Sequence, residues 1–175
     1  MTIDEGSVSS AHEPGFHSKD LNAQKIFAFI RSEDHKGLAK HLKMQDSRLD
    51  LMIMKDSMNF SLLTYCAYKN DTNCFKVIFE YAWKKSMVGG QISHKQIQKM
   101  KDWVNIPTDE NFTALHYVAQ NGNYSMLQLL VEKAGADINI RNKFGASVLH
   151  IAAQKDQALS IFYFAQRGMD INIRD

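Results

Sequence analysis

Apolar residues recur along the chain in short blocks at helical spacing, set apart by turns that contain Gly, Asn and Asp. Three stripes have the rhythm of a helix that buries one face: Phe75, Ile78 and Phe79; Met126, Leu127, Leu129 and Leu130; and Leu159, Ile161, Phe162 and Phe164. Before each stripe lies a shorter pattern that starts immediately after a hydroxyl residue, Ser61, Thr113 or Ser147. A hydroxyl there accepts a hydrogen bond from an otherwise unpaired first-turn amide, so these three positions predict helix N-caps. The chain therefore reads as pairs of helices, the second of each pair facing a neighbouring pair. Upstream, residues 26–30 and 38–42 form two more helical pieces, broken near 32–37, which predict a capping unit over 20–55 with a polar outer face. Residues 1–19, with Ser7, Ser9, Ser10, Pro14 and Gly15, offer little to bury and are expected to be a disordered tail.

The pairs are copies of one another. Asp137-Ile138-Asn139-Ile140-Arg141 recurs letter for letter as Asp170-Ile171-Asn172-Ile173-Arg174, a step of 33 residues. Upstream of it, Thr113-Ala114-Leu115-His116-Tyr117-Val118-Ala119-Gln120 aligns with Ser147-Val148-Leu149-His150-Ile151-Ala152-Ala153-Gln154 at a step of 34, which puts one extra residue within 131–135. A more diverged copy, Ser61-Leu62-Leu63-Thr64-Tyr65-Cys66-Ala67-Tyr68, lies 52 residues before the second, so 18 residues are inserted between them. Two columns follow backbone geometry. Asn59, Asn111 and Gly145 share one position, and Asn70, Gly122 and Asp156 share another at the end of each first helix. These residue types enter positive φ most readily, which suits a tight hairpin in the first column and a helix C-terminus in the second.

These residues resemble the ankyrin repeat, a unit of about 33 residues built from a turn and two helices around a Thr-Pro-Leu-His-x-Ala signature. The likeness covers roughly 56–175, and Leu62, Ala114 and Val148 replace the signature's Pro, which gives up a pre-set φ without losing the fold. It implies an all-α solenoid of helix-turn-helix units with short β-hairpin turns: a repeat at 56–107 with an insertion at about 84–102, a second at 108–141, and a third at 142–175 that the sequence leaves open to being cut short. The terminal unit carries an apolar Leu159 to Phe164 segment where a capping face is expected to be polar. In the insertion, Gly89-Gly90 breaks the preceding helix and Ser93-His94-Lys95-Gln96 has capping-box spacing, predicting a helix from His94 to about Asp102. Lys84, Lys85, Lys95, Lys99 and Lys101 against Asp102 give it a local charge of +4, which reads either as a site for an anionic partner or as a solvated face.

Composition narrows the function. A net charge of +2 from 21 Lys+Arg and 19 Asp+Glu leaves no chain-wide electrostatic footprint and argues against nucleic acid. The longest apolar runs, 26–30 and 161–165, are five residues, against the roughly 20 that cross a bilayer. The N-terminus has neither the basic start nor the apolar middle of a signal peptide, and Cys66 and Cys74 read as reduced core residues, so the expected compartment is cytoplasmic. No phosphate-cradling glycine loop, nucleophile elbow or zinc-helix motif is present, and the chain reads as no enzyme, with no cofactor and no metal. His116 and His150 occupy one column; the resemblance assigns that ring to a hydrogen bond between hairpin and helix start, and two ligands fall short of a zinc site.

The resemblance implies a protein-interaction module that binds on its concave face. Its variable contact positions fall on Met58 and Phe60, Glu110 and Phe112, and Lys143 and Phe144 at the hairpin tips, and on Tyr68 and Lys69, Gln120 and Asn121, and Gln154 and Lys155 on the first helices. Aromatic, Met and Lys side chains fit an apolar centre with a basic rim, hence an acidic or amphipathic protein or peptide partner. An alternative comes from the last repeat, where 149–154 followed by 160–164 resembles the ankyrin-bearing palmitoyltransferases. This piece would then be the substrate-recruiting arm of a membrane enzyme whose Asp-His-His-Cys domain lies outside these residues, and it would be membrane-associated.

Overall fold

A computed structural model describes residues 20–45 and 49–172. The expected disordered tail over 1–19 and the final three residues lie outside the described residues. The capping unit is α1 (Leu21–Arg31) and α2 (His35–Lys43). Asp20 and Asp34 cap them by accepting from the amides of Asn22 and Gly37, each at 2.8 Å. A 3-10 turn at Leu51–Ile53 leads into the first repeat, α3 (Leu62–Tyr68) and α4 (Thr72–Ser86). After the insertion come α6 (Ala114–Asn121) and α7 (Tyr124–Gln128), then α8 (Val148–Gln154) and α9 (Ala158–Gln166).

The helices stack in two layers. First helices α1, α3, α6 and α8 pack in series, and α2, α4 and α7 form the second layer, which α9 joins through Tyr163. Alternation of small and large buried residues allows the close approach: Ala67, Ala114, Ala119 and Ala152 let backbones come together while Leu63, Leu115, Phe75 and Leu127 fill the space between layers. The core is therefore continuous from Ile26 to Phe164 rather than divided repeat by repeat.

Both positive-φ columns form as the residue types require. Asn59, Asn111 and Gly145 stand at φ of 61°, 58° and 82°, and Asn70, Gly122 and Asp156 at 55°, 64° and 54°. The N-caps form as well. Ser61 accepts from the Thr64 amide at 3.1 Å, and Ser147 from the His150 amide at 3.5 Å. At Thr113 the clearest cap contact runs the other way: its backbone N–H donates to His116 Nδ1 at 3.0 Å, as that of Ser147 does to His150 Nδ1 at 3.2 Å.

The extra residue of the second repeat takes a definite form. Directly after α7 the chain winds as a π turn over Leu129–Lys133, with the Ala134 amide bonding back to the Leu129 carbonyl at 3.2 Å. One wide turn absorbs one residue, so the hairpin that follows returns to register with the third repeat.

The insertion is a clasp. Met87–Val88 (β1) and Gln91–Ile92 (β2) pair antiparallel around Gly89-Gly90, both at positive φ, so the glycines close a hairpin where the sequence predicted only a break. Then α5 (His94–Val104), capped by Ser93, runs two residues past the predicted end because Met100, Trp103 and Val104 are buried against the stack. Lysines at both ends of the insertion are tied to the segment before the first repeat: Lys99 of α5 pairs with Asp50 at 2.6 Å, and Lys85 in the last turn of α4 donates to the Leu49 carbonyl.

Candidate interaction surface

Each repeat opens with a turn built by one side chain. Asp56 Oδ1 accepts from the amides of Met58 and Phe60 at 2.9 and 2.8 Å, and Asn142 Oδ1 from those of Phe144 and Ala146 at 2.9 and 3.0 Å. Thr108 does the same more weakly, its hydroxyl accepting from Phe112 at 3.2 Å. Burial raises the pKa of the Asp56 carboxyl, and the two amides it accepts from oppose that rise. Successive tips are bonded to one another: the Asp109 amide donates to the Met58 carbonyl at 3.3 Å and the Lys143 amide to the Glu110 carbonyl at 3.1 Å. The tips therefore form one extended, fixed edge beside the first helices.

An aromatic run crosses this edge. Tyr68 and Phe60 meet at 5.7 Å, Phe60 and Tyr117 stack at 5.7 Å, and Tyr117 and Phe112 stack at 5.4 Å. Phe144 stands beyond them at the next tip, 65% exposed. Burial pushes the Tyr117 phenol well above its usual range, with Tyr68 and Glu110 reinforcing the shift, so it stays protonated and acts as a neutral, partly apolar surface.

The side chains expected from the sequence fall into three groups. Tyr68, Lys69, Glu110, Lys143, Phe144, Gln154 and Lys155 are exposed. Met58, Phe112, Gln120 and Asn121 are half-buried, and the Asn121 amide already donates to the Ala67 carbonyl of the preceding repeat at 2.9 Å. Phe60 is buried and forms the floor of the aromatic run instead of its surface. Lys143 and Glu110 pair with each other, which reduces the positive rim to Lys69 and Lys155. Sequence reasoning missed Tyr117: it aligns with buried Tyr65, and only the sideways packing of Phe60 and Phe112 turns it toward the open face.

The paired histidines serve the fold. Beyond the N-cap contact of Nδ1, His116 is fully buried, and burial lowers its pKa to about 4 against a smaller opposing effect of the Ala146 and Ile140 backbone. Among the described residues no cluster of three or more His, Cys, Asp or Glu is placed to hold a metal ion, and no helix is long and apolar enough to cross a membrane.

Comparison with known proteins agrees with this architecture. Ankyrin repeats, in three copies, match residues 90–175. Notch-regulated ankyrin repeat-containing protein A of Danio rerio is 40% identical over 79 residues, which are 43% of this chain and 68% of that protein. The ankyrin repeat protein FPV034 of fowlpox virus is 29% identical over 154 residues, 79% of this chain; the chain spans only 35% of that relative's length. In fold, the chain is similar to one in the crystal structure of the yeast ribosomal protein Rps3 in complex with its chaperone Yar1, with a TM-score of 0.72 and 23% identity over 88% of this chain and 97% of that one.

Proposed function

The chain belongs to the ankyrin-repeat family, and from that premise we propose that it is a non-catalytic adaptor or scaffold that holds a protein partner along its hairpin tips and first helices. Ankyrin repeats are protein-interaction modules, generally without catalysis. The observation that carries the reading is the aromatic run from Tyr68 to Phe112, exposed at Tyr68, half-exposed at Tyr117 and Phe112 over a buried Phe60, and continued by the exposed ring of Phe144. Rigid aromatics on a pre-formed edge give contact area at low entropic cost, the pattern of binding hot spots. The partner is amphipathic: an apolar side chain meets Phe112, Tyr117 and Phe144, and a carboxylate meets Lys69 or Lys155. We place the protein in the cytoplasm, where its two free, buried cysteines stay reduced. The palmitoyltransferase alternative rests on the sequence of one repeat and gains nothing from this surface.

Phe144→Ala combined with Lys155→Ala tests the proposal. Both side chains are exposed, so their truncation leaves the core intact. Affinity for the captured partner is expected to fall by about tenfold or more, while the melting temperature stays within a degree or two. A fall in melting temperature that accounts for the lost affinity would show that these residues serve packing.

A further inference from the structure

We propose a second binding site on the opposite, second-helix face: a groove between α4 and the π turn that takes one bulky apolar side chain of an acidic peptide. Its floor is Phe79, Trp83 and Leu129, enclosing about 140 Å³, the size for one leucine or phenylalanine side chain. Phe79 and Trp83 stack at 5.9 Å, and Phe79 in turn stacks on Phe75 at 6.2 Å, so the floor is fixed by the core behind it.

Charge identifies the occupant. Lys76, Lys84 and Lys133 rim the groove, all three exposed and without an ion pair among the described residues. Glu132, next to Lys133, lines the adjoining hollow with Lys76 and Leu129, and its carboxylate is already engaged: Arg167 holds it at 2.6 Å and the Tyr163 hydroxyl donates to it at 3.2 Å. That leaves Glu80 as the one carboxylate against three ammonium groups in the lining. Nearby, Lys99 is neutralised by Asp50 and Lys85 is tied to the Leu49 carbonyl, so these two lysines do not add to the positive rim of the groove.

The π turn points the same way. It consumes the one residue by which the second repeat exceeds the third, and it supplies both Leu129 and Lys133 to the groove. Wide turns of this kind cost helix regularity and occur often at functional sites. The ligand chemistry is therefore glutamates or aspartates flanking a leucine or phenylalanine, read by desolvation of the apolar side chain and steered by the lysines.

The probe is a short fluorescent helical peptide with leucines at i, i+4 spacing and glutamates elsewhere, followed by anisotropy with the full chain. Binding is expected, and Lys76→Glu with Lys133→Glu is expected to weaken it by about tenfold or more, since charge reversal at exposed sites leaves packing untouched. Trp83→Ala should weaken it similarly, whereas Phe144→Ala with Lys155→Ala, on the other face, should leave it unchanged. No binding, equal binding of polyglutamate lacking apolar side chains, insensitivity to the lysine reversals, or loss of binding in the Phe144/Lys155 variant would each overturn the proposal.

Discussion

Replacing Phe75 by alanine is expected to destabilise the protein by about 3–5 kcal/mol. Phe75 is fully buried on α4, which packs against α3, α2 and α7 together, and its ring stacks on Phe79 at an interplanar angle of 7°. The cavity would open where the capping unit, the first repeat and the second repeat meet, and backbones that already stack closely have little room to collapse into it. In a linear array each unit is held by its neighbours, so the damage spreads in both directions. Urea unfolding followed by circular dichroism checks this. The midpoint should fall steeply for Phe75→Ala and only slightly for Phe75→Leu; a loss under about 1.5 kcal/mol for the alanine variant would mean that α4 does not join the two halves of the stack.

Acidification is expected to cost about 3 kcal/mol between pH 7 and pH 4 through one side chain. His116 titrates near 6.5 in the unfolded chain and near 4 in the fold, where burial excludes the charged ring. Above pH 6.5 both states hold a neutral imidazole and no stability is lost. Below it the unfolded state takes up a proton that the folded state refuses, so stability declines as pH falls and the loss is complete below about 4. Glutamine at position 116 can still accept the Thr113 amide as the third residue of a capping box but carries no proton in this range. Denaturation midpoints from pH 7 to pH 4 should fall more shallowly in His116→Gln; equal slopes in the two proteins would place the linkage elsewhere.

Much of the fold was legible because ankyrin geometry is written into single residues. Positive φ at Asn59, Asn111 and Gly145 follows from side chains that tolerate it, and the hydroxyls at 61, 113 and 147 announce helix starts. The features that escaped depend on neighbours distant in sequence. One surplus residue within 131–135 was countable, but its place in a π turn over Leu129–Lys133, with Glu132 bonded to Tyr163 of α9, shows only once the repeats are stacked. Gly89-Gly90 signals a break equally well whether a loop or a hairpin follows, and only pairing of Met87 with Ile92 decides. In the interaction surface, positions were transferable while exposure was not. Phe60 sank beneath Tyr68 and Tyr117, and Lys143 met Glu110 one repeat away, a partner visible only once the tips are laid side by side.

Hydrogen exchange of the full chain, alone and with the partner it retains, tests the adaptor account most directly. A partner held along this edge should slow exchange at the tips around residues 58–60, 110–112 and 143–145 and in the last turns of α3, α6 and α8. Protection confined to α5 and the β1–β2 hairpin, with those tips unchanged, would contradict it.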